Sequence, residues 1–330
     1  MAALCASLRA LRVTVLVVSG LLLTACAAPE PSLPPLPSLP PAPLPARPEL
    51  PYGVGLLWQI EKDGLQPSYV FGTMHVPDPE FLNLPPPVQA AFDRSRHVAL
   101  EVVAEKGKEI GYLTRYATAV LLPHDQSLSN LLSGEAYTQL LQLASHQTPP
   151  RVMLGSFHIR HFKPWFVMEV IGQNDATASH LDGSRPVLDA MLEQRAREAG
   201  KLVSGLETFE EHLAIDNGIP LDDQVALLTS HLANRGNWQS YAVFADAYRN
   251  GDTAMLHGLW QQSLTGVEPG LARRYTERFL DDRNRLMVER ALLLMAKGTT
   301  FVAVGAAHLP GEVGILRLLE QQGFTVTRLH

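Results

Sequence analysis

Apolar residues fall along this chain in runs of strand length, separated by stretches with helical spacing. Gly55 to Ile60 and Ser68 to Phe71 are apolar runs on either side of Lys62-Asp63-Gly64, and two such runs around Asp-Gly predict a hairpin. His97 to Val103 (HVALEVV), Leu202 to Leu206 and Thr300 to Val304 read as short strands, and Phe324 to Leu329 can close as a last one. Between them lie helical patterns. Pro85 to Arg94 opens with prolines suited to a first helical turn. Ser133 to Ala144 places Tyr137, Leu140, Leu141 and Ala144 on one face. Val187 to Ala199 is stopped by Gly200. Thr208-Phe209-Glu210-Glu211 has Thr three residues before Glu, a capping box that starts a helix. Asp222 to Leu232, Leu271 to Lys297 and Gly311 to Gln322 are also helical in pattern. Strands alternating with helices predict an α/β fold, a mixed central β-sheet flanked by helices.

The first 52 residues follow neither pattern. Arg9 and Arg12 precede an uncharged, mostly apolar stretch of 11 residues, Val13 to Leu23. That is too short to span a bilayer core, which takes about 20 residues, and it reads as the apolar region of a signal peptide. Leu23-Thr24-Ala25-Cys26 follows and resembles a bacterial lipobox, in which the Cys thiol is lipidated and becomes the mature N-terminus. The expected organisation is a signal peptide over 1–25, a lipidated Cys26 with a proline-rich tether over 26–52, and a folded domain over 53–330. Pro29 to Pro51 holds 11 of the 25 prolines. Such a stretch favours extended polyproline conformations and could reach on the order of 70 Å. Ala27 replaces the Asp that commonly retains lipoproteins at an inner membrane, so the expected address is an outer membrane, facing the periplasm.

Composition narrows the chemistry. Cys5 and Cys26 are the only cysteines. With the first removed and the second lipidated, no thiol remains for a disulfide or a Cys metal site. Any metal must sit on His, Asp and Glu. Removing Arg9 and Arg12 from the 27 basic residues leaves 25 against 33 acidic, a net of −8. No cluster of Lys and Arg offers a phosphate backbone a footprint, so a nucleic-acid partner is not expected.

Tyr69-Val70-Phe71-Gly72-Thr73-Met74-His75 is echoed by Val302-Ala303-Val304-Gly305-Ala306-Ala307-His308. Each is a strand followed by Gly-x-x-His, which sets an imidazole just past a strand end. Open α/β folds keep their sites at such an edge. Glu101 lies inside an apolar run, where an unpaired charge costs several kcal/mol. Glu207 directly precedes the Thr208 cap, where helix-dipole stabilisation alone is an adequate account. Two His and two carboxylates at four strand ends make a plausible site for a divalent ion, and the ligand types leave zinc, manganese, cobalt and iron open. One Glu could instead act as general base toward a water. His158 and His161 read as a surface turn before Pro164-Trp165. Trp238, Tyr241, Phe244 and Tyr248 read as core. Neither His-Glu-x-x-His nor a Gly-x-Ser-x-Gly elbow is present.

Phe71-Gly72-Thr73-Met74-His75, Leu100-Glu101, Gly205-Leu206-Glu207-Thr208, Arg283-Asn284-x-x-Met287 and Val304-Gly305-Ala306-Ala307-His308-Leu309 with Gly311 resemble the ordered signatures of the TraB/PrgY/GumN family. Lys163-Pro164-Trp165 and Leu188-Asp189 sit where that family places similar pairs. The resemblance runs from about Leu56 to the C-terminus. That family includes the animal Tiki metalloproteases and is related distantly to erythromycin esterases and haem-binding lipoproteins. The resemblance implies a mixed sheet between helices, with paired Gly-x-x-His motifs and site residues His75, Glu101, Glu207 and His308. It also implies Arg283 as a contact for an anion or transition state, a role its fork suits. The leading expectation is a tethered metal-dependent hydrolase, a peptidase acting on a peptide or protein. His75 and His308 would bind the ion with Glu101 or Glu207, and the remaining Glu would activate water. Two rivals stay open: a lipoprotein that captures haem or metal for uptake, and a protein that sequesters a peptide signal uncut.

Overall fold

The computed structural model describes residues 34, 36, 39–40, 42–76, 78–105, 107–145, 159–171, 186–235 and 238–330. Cys26 and its flanks, and His158, lie outside them. Six strands form one sheet: β1 Leu57–Glu61, β2 Ser68–Thr73, β3 His97–Val102, β4 Leu202–Glu207, β5 Thr300–Gly305 and β6 Thr325–Arg328. The main helices are α1 Pro86–Arg94, α2 Glu109–Ala119, α3 Gly134–Ser145, α4 Pro164–Ile171, α5 Leu188–Glu198, α6 Phe209–Asn217, α7 Leu221–Ala233, α8 Tyr241–Arg249, α9 Thr253–Ser263, α10 Pro269–Thr276, α11 Asp282–Met295 and α12 Ile315–Gln321. Among the described residues no helix is long and apolar enough to cross a membrane.

The sheet order is β4-β3-β5-β2-β1-β6. β4, β3, β5 and β2 run parallel, and β1 and β6 complete the sheet antiparallel, so the expected mixed α/β fold is present. β1 and β2 pair as the hairpin that Asp63-Gly64 predicts, with Gly64 at φ +81°. The two echoing segments become neighbours: β2 pairs β5 in parallel, Gly72 opposite Val304 and Thr73 opposite Gly305.

Successive side chains of a strand point to opposite faces, and the two faces bury different helices. Phe71, Val98, Leu100, Phe301 and Ala303 pack with α1, α5, α8 and α9 residues including Phe92, Leu192, Tyr248 and Leu259. Val70, Ala99, Val302 and Val304 pack on the other face with Met287, Ala291 and Met295 of α11 and Leu316 and Leu319 of α12. A separate helical layer has its own core, built around Leu128, Leu140, Trp165, Val167, Leu228 and Leu232 of the α3, α4 and α7 region.

Three sequence expectations change. The helix expected over Leu271 to Lys297 is α10 and α11 joined by a π-helical turn, Glu277–Asp281. The helix expected from Gly311 begins only at Ile315, because Gly311 sits at φ +100° in a turn closed by the Gly314 N–H on its own carbonyl. Such a φ is unfavourable in a helix and tolerated by Gly. The ordered body also reaches upstream of Gly53. Arg47 pairs with Asp252 at 2.8 Å, and Gln239 donates to the Pro43 carbonyl at 2.9 Å. Trp238, read as core, packs partly buried against the core of the helical layer and stacks on His231, outside the helix that carries Tyr241 and Tyr248.

Candidate active site at four strand ends

The four parallel strands end side by side, and each delivers one polar group to the carboxyl edge. Glu207 is the last residue of β4, Glu101 the last but one of β3. His75 lies two residues past β2, and His308 ends the short turn that follows β5. The period of two explains Glu101. It shares the face of Ala99, under α11, whereas Leu100 enters the opposite core. Three of the four groups converge on Gly305. A Cβ there would stand 3.3 Å from Glu101 Oε1, 3.4 Å from His75 Nε2 and 3.5 Å from His308 Cδ2. Only a residue without a side chain leaves this cradle open. The Gly305 N–H also donates to Glu101 Oε1 at 2.6 Å.

Arg283, on the first turn of α11, enters beneath the cradle. Nε donates to Glu207 Oε1 at 2.9 Å, and Nη2 donates to Glu207 Oε2 at 2.8 Å and Glu101 Oε2 at 2.7 Å. Nη1 donates to the Phe279 carbonyl at 3.2 Å and to His308 Nε2 at 3.0 Å. All five guanidinium N–H groups therefore have acceptors. The π-helical turn supplies the Phe279 carbonyl, and such turns recur at functional sites. Arg283, Glu101 and Glu207 are each under one-tenth exposed, so burial alone would favour neutral carboxyls. Arg283 and the two imidazoles outweigh that at Glu101 and hold it well below the ordinary carboxylate range. Hydrogen bonds from His212 and Arg283 outweigh it at Glu207 and bring it to about 2. Both are ionised at neutral pH.

The two imidazoles are held from behind by different groups. His308 Nδ1 lies 2.6 Å from Asn284 Oδ1, and the Asn284 amide in turn donates to the Val313 carbonyl. An amide oxygen only accepts, so Nδ1 carries the proton and Nε2 keeps its lone pair. Burial, then the Arg283 charge, push His308 down to about 4. His75 Nδ1 instead faces Asp189 Oδ2 at 3.0 Å, and Asp189 Oδ1 accepts from the Thr73 hydroxyl at 3.0 Å. Burial works against charge on His75, but Asp189 and then Glu101 outweigh it and raise it to about 10. The His75 side chain is 41% exposed, against 6% for His308.

The donor set suits a divalent ion. His75 Nε2 and His308 Nε2 stand 3.6 and 3.8 Å from Glu101 Oε1. Ligands bonded to one ion at about 2.1 Å lie roughly 3.3–3.6 Å apart, so each pair needs only small closure. The ring nitrogens turned away from the cradle are held by a carboxylate and an amide, the outer contacts that metal-bound imidazoles take. Glu101, Glu207 and His212 also bring ligand atoms within 4.8 Å of one another. There Arg283 already acts as the cation. His212 approaches Glu207 Oε2 with Nδ1 at 3.3 Å.

The model of the TraB/PrgY/gumN family matches residues 56–328. The chain belongs to the TraB/PrgY/gumN family. It is 25% identical to the metalloprotease TIKI2 of Danio rerio, over 82% of this chain and 60% of that protein. It is 24% identical to a metalloprotease TIKI homolog of Amphimedon queenslandica, over 83% and 61%, and 25% identical to the metalloprotease TIKI1 of Xenopus tropicalis, over 82% and 60%. The chain thus spans about 60% of the length of these relatives. No solved structure matches it.

Within this family fold, all five residues singled out in the sequence, His75, Glu101, Glu207, Arg283 and His308, meet at one place. His161 does not join them: its carbonyl accepts from Leu122 N–H in a turn before α4. Sequence reasoning missed His212. The available signal was its place one turn into the capped helix that follows Glu207. It also gave Asp189 and Asn284 no role, although both stand in the quoted motifs.

Proposed function

We propose that this chain is a metal-dependent hydrolase of peptide or protein substrates, with His75, His308 and Glu101 as the ion's ligands. The observation that carries the proposal is the convergence of two imidazole nitrogens and one carboxylate oxygen over Gly305. The metalloprotease names of its relatives support the reaction class. A divalent ion held there supplies an acidified water and a polarised carbonyl; zinc, manganese, cobalt and iron all accept such ligands. Asp189 and Asn284 fix the ring orientations, and Gly305 keeps the approach clear. Glu207 is assigned to charge balance rather than water activation, because both its oxygens already accept from Arg283. Arg283 meets developing negative charge only where Phe279 or His308 releases an Nη1 hydrogen.

The test is elemental analysis of protein purified without chelator, followed by cleavage of a peptide library. His75→Ala, His308→Ala and Glu101→Ala should lose both metal and cleavage, whereas Glu207→Gln should keep the metal. Full metal occupancy with no cleavage of any peptide would instead support capture of metal or peptide without hydrolysis. Peptide capture without metal is favoured by one observation, the hydrogen bond from Arg283 that already engages the His308 Nε2 lone pair. Haem capture is tested by a visible absorption band on adding haem, lost in His75→Ala or His308→Ala.

Export and lipidation at Cys26 belong to the same proposal, with an outer-membrane anchor facing the periplasm. Mass analysis of the mature N-terminus should find a diacylglyceryl-modified Cys26, and Cys26→Ser should move the protein from the membrane to the soluble fraction. A mature chain that starts elsewhere and lacks lipid would overturn it.

A further inference from the structure

Residues 42–48 (APLPARP) follow a pattern of their own on the body. Ala42, Pro45 and Pro48 are turned inward, while Pro43, Leu44, Ala46 and Arg47 are exposed. A burial period of three is that of a polyproline II helix resting on one edge. Such a helix makes no internal hydrogen bonds, so its carbonyls are open to outside donors. The surface of α9, with Gln239 from the turn before α8, meets that need. Gln239 Nε2 donates to the Ala42 and Pro43 carbonyls at 3.3 and 2.9 Å, and Gln262 Nε2 donates to Pro43 O at 2.8 Å. Gln239 Nε2 also reaches Gln262 Oε1 at 3.0 Å, which fixes both amides. Gly258 makes the slot for Pro48: a Cβ there would stand 3.0 Å from Pro48 Cδ. Arg47 closes the far end, with Nε at 2.9 and 2.8 Å from the two Asp252 oxygens. Asp252 is itself the N-cap of α9, accepting from Met255 N–H.

Two amide donors to carbonyls, a slot for a proline ring and an acid for a flanking Arg together select conformation, spacing and direction. None of the contacts named requires a backbone N–H from the segment, so proline suits it throughout. We propose that the surface formed by α9 and the Gln239 turn before α8 is a binding site for polyproline II peptides, occupied in cis by the chain's own Ala42–Pro48. Two consequences follow. The part of the proline-rich stretch that can act as a spacer is shorter than the whole stretch, since Gln142 also donates to the Pro34 carbonyl at 3.1 Å. The docked segment also feeds into backbone that braces the His308 turn. The Ala254 N–H donates to Gly53 O at 3.0 Å, and the Gly311 N–H donates to Pro51 O at 3.0 Å.

The test uses the full chain and a fluorescent peptide of residues 41–50, PAPLPARPEL. A variant with Ala42→Asp, Pro45→Asp and Pro48→Asp frees the groove and should bind the peptide saturably by anisotropy. The wild type, its groove filled, should bind at least about 10-fold more weakly. Adding Gln239→Ala and Gln262→Ala to the freed variant should cost about 10-fold, the effect of lost amide hydrogen bonds. A scrambled peptide bound as well as PAPLPARPEL, or undiminished binding after the glutamine changes, overturns the proposal. A second measurement leaves the segment intact. Elastase cleavage at Ala46–Arg47 should quicken about 10-fold in Gln239→Ala/Gln262→Ala, and an unchanged rate overturns the proposal independently.

Discussion

Removing the Arg283 side chain leaves two carboxylates, both under one-tenth exposed, without the cation between them. Breaking a buried ion pair by deleting one partner costs about 3–5 kcal/mol. Arg283→Met should therefore lower the unfolding free energy by about that amount in urea titrations. Arg283→Lys should recover only part of it, since one ammonium cannot replace a fork spread over five acceptors. Asp189 offers a subtler test. Asp189→Asn keeps an acceptor opposite His75 Nδ1 but removes its charge. Metal affinity should fall about 10–100-fold, read by competition with a chromophoric chelator, while the urea midpoint stays near that of the wild type. At this scale the sequence was informative about which residue types matter, because a Glu inside an apolar run demands a partner. It was silent on the partner's identity. Arg283 is 182 residues from Glu101 and 76 from Glu207; only the family resemblance marked it, and as an anion contact rather than as the partner of the two glutamates.

Secondary structure places these groups through start and stop signals as much as through periodicity. The Thr208 capping box is formed in full: the Thr208 hydroxyl accepts from Glu211 N–H, and Glu211 accepts from Thr208 N–H. Arg290 of α11 also clamps Glu211, at 2.6 and 2.7 Å. The cap thus ties the end of β4, with Glu207, to the helix that carries Arg283. Thr208→Ala should cost about 1 kcal/mol, the usual worth of an N-cap, by urea denaturation. The strands and this cap were legible because hydrophobic period and capping chemistry are local. The π-helical turn at Glu277–Asp281 was not. Its apolar spacing reads as one helix, and the extra residue is accommodated by tertiary partners. Trp260, Tyr275 and Phe279 stack there, and the freed Phe279 carbonyl meets Arg283.

For the molecule as a whole, the buried site makes stability depend on pH with a definite sign. Glu207 titrates at about 2 when folded against 4.5 ordinarily, so its stabilisation is present above 4.5 and is lost as pH falls toward 2. His308 titrates at about 4 when folded against 6.5 ordinarily. Between those values the unfolded chain binds the extra proton, and stability again rises with pH. His75 has the opposite sign: raised to about 10, its stabilisation is full below 6.5 and is lost as pH climbs through 10. It is the most exposed of the three, and solvent screening makes its share the smallest. The urea midpoint of chelator-treated protein should therefore rise from pH 3 to about 6.5 and decline gently toward pH 10. Glu207→Gln should flatten the acid limb, and an acid limb as steep as the wild type's would contradict the assignment.

What the chain determines by itself is local. Apolar runs of strand length give the strands, Asp63-Gly64 the hairpin and Thr208 a helix start. Each Gly-x-x-His sets an imidazole beyond a strand, because these depend on neighbours within a few residues. Tertiary structure alone decides that β2 and β5 lie adjacent and parallel, which brings His75 and His308 to one side of Glu101 across more than 200 residues of chain. It alone decides that Arg283 lies between the two glutamates. It also decides that the end of the proline-rich stretch docks rather than extends freely. Polyproline composition fixes the segment's conformation, but only Gln239, Gln262, Gly258 and Asp252, assembled from distant sequence, provide the surface that holds it.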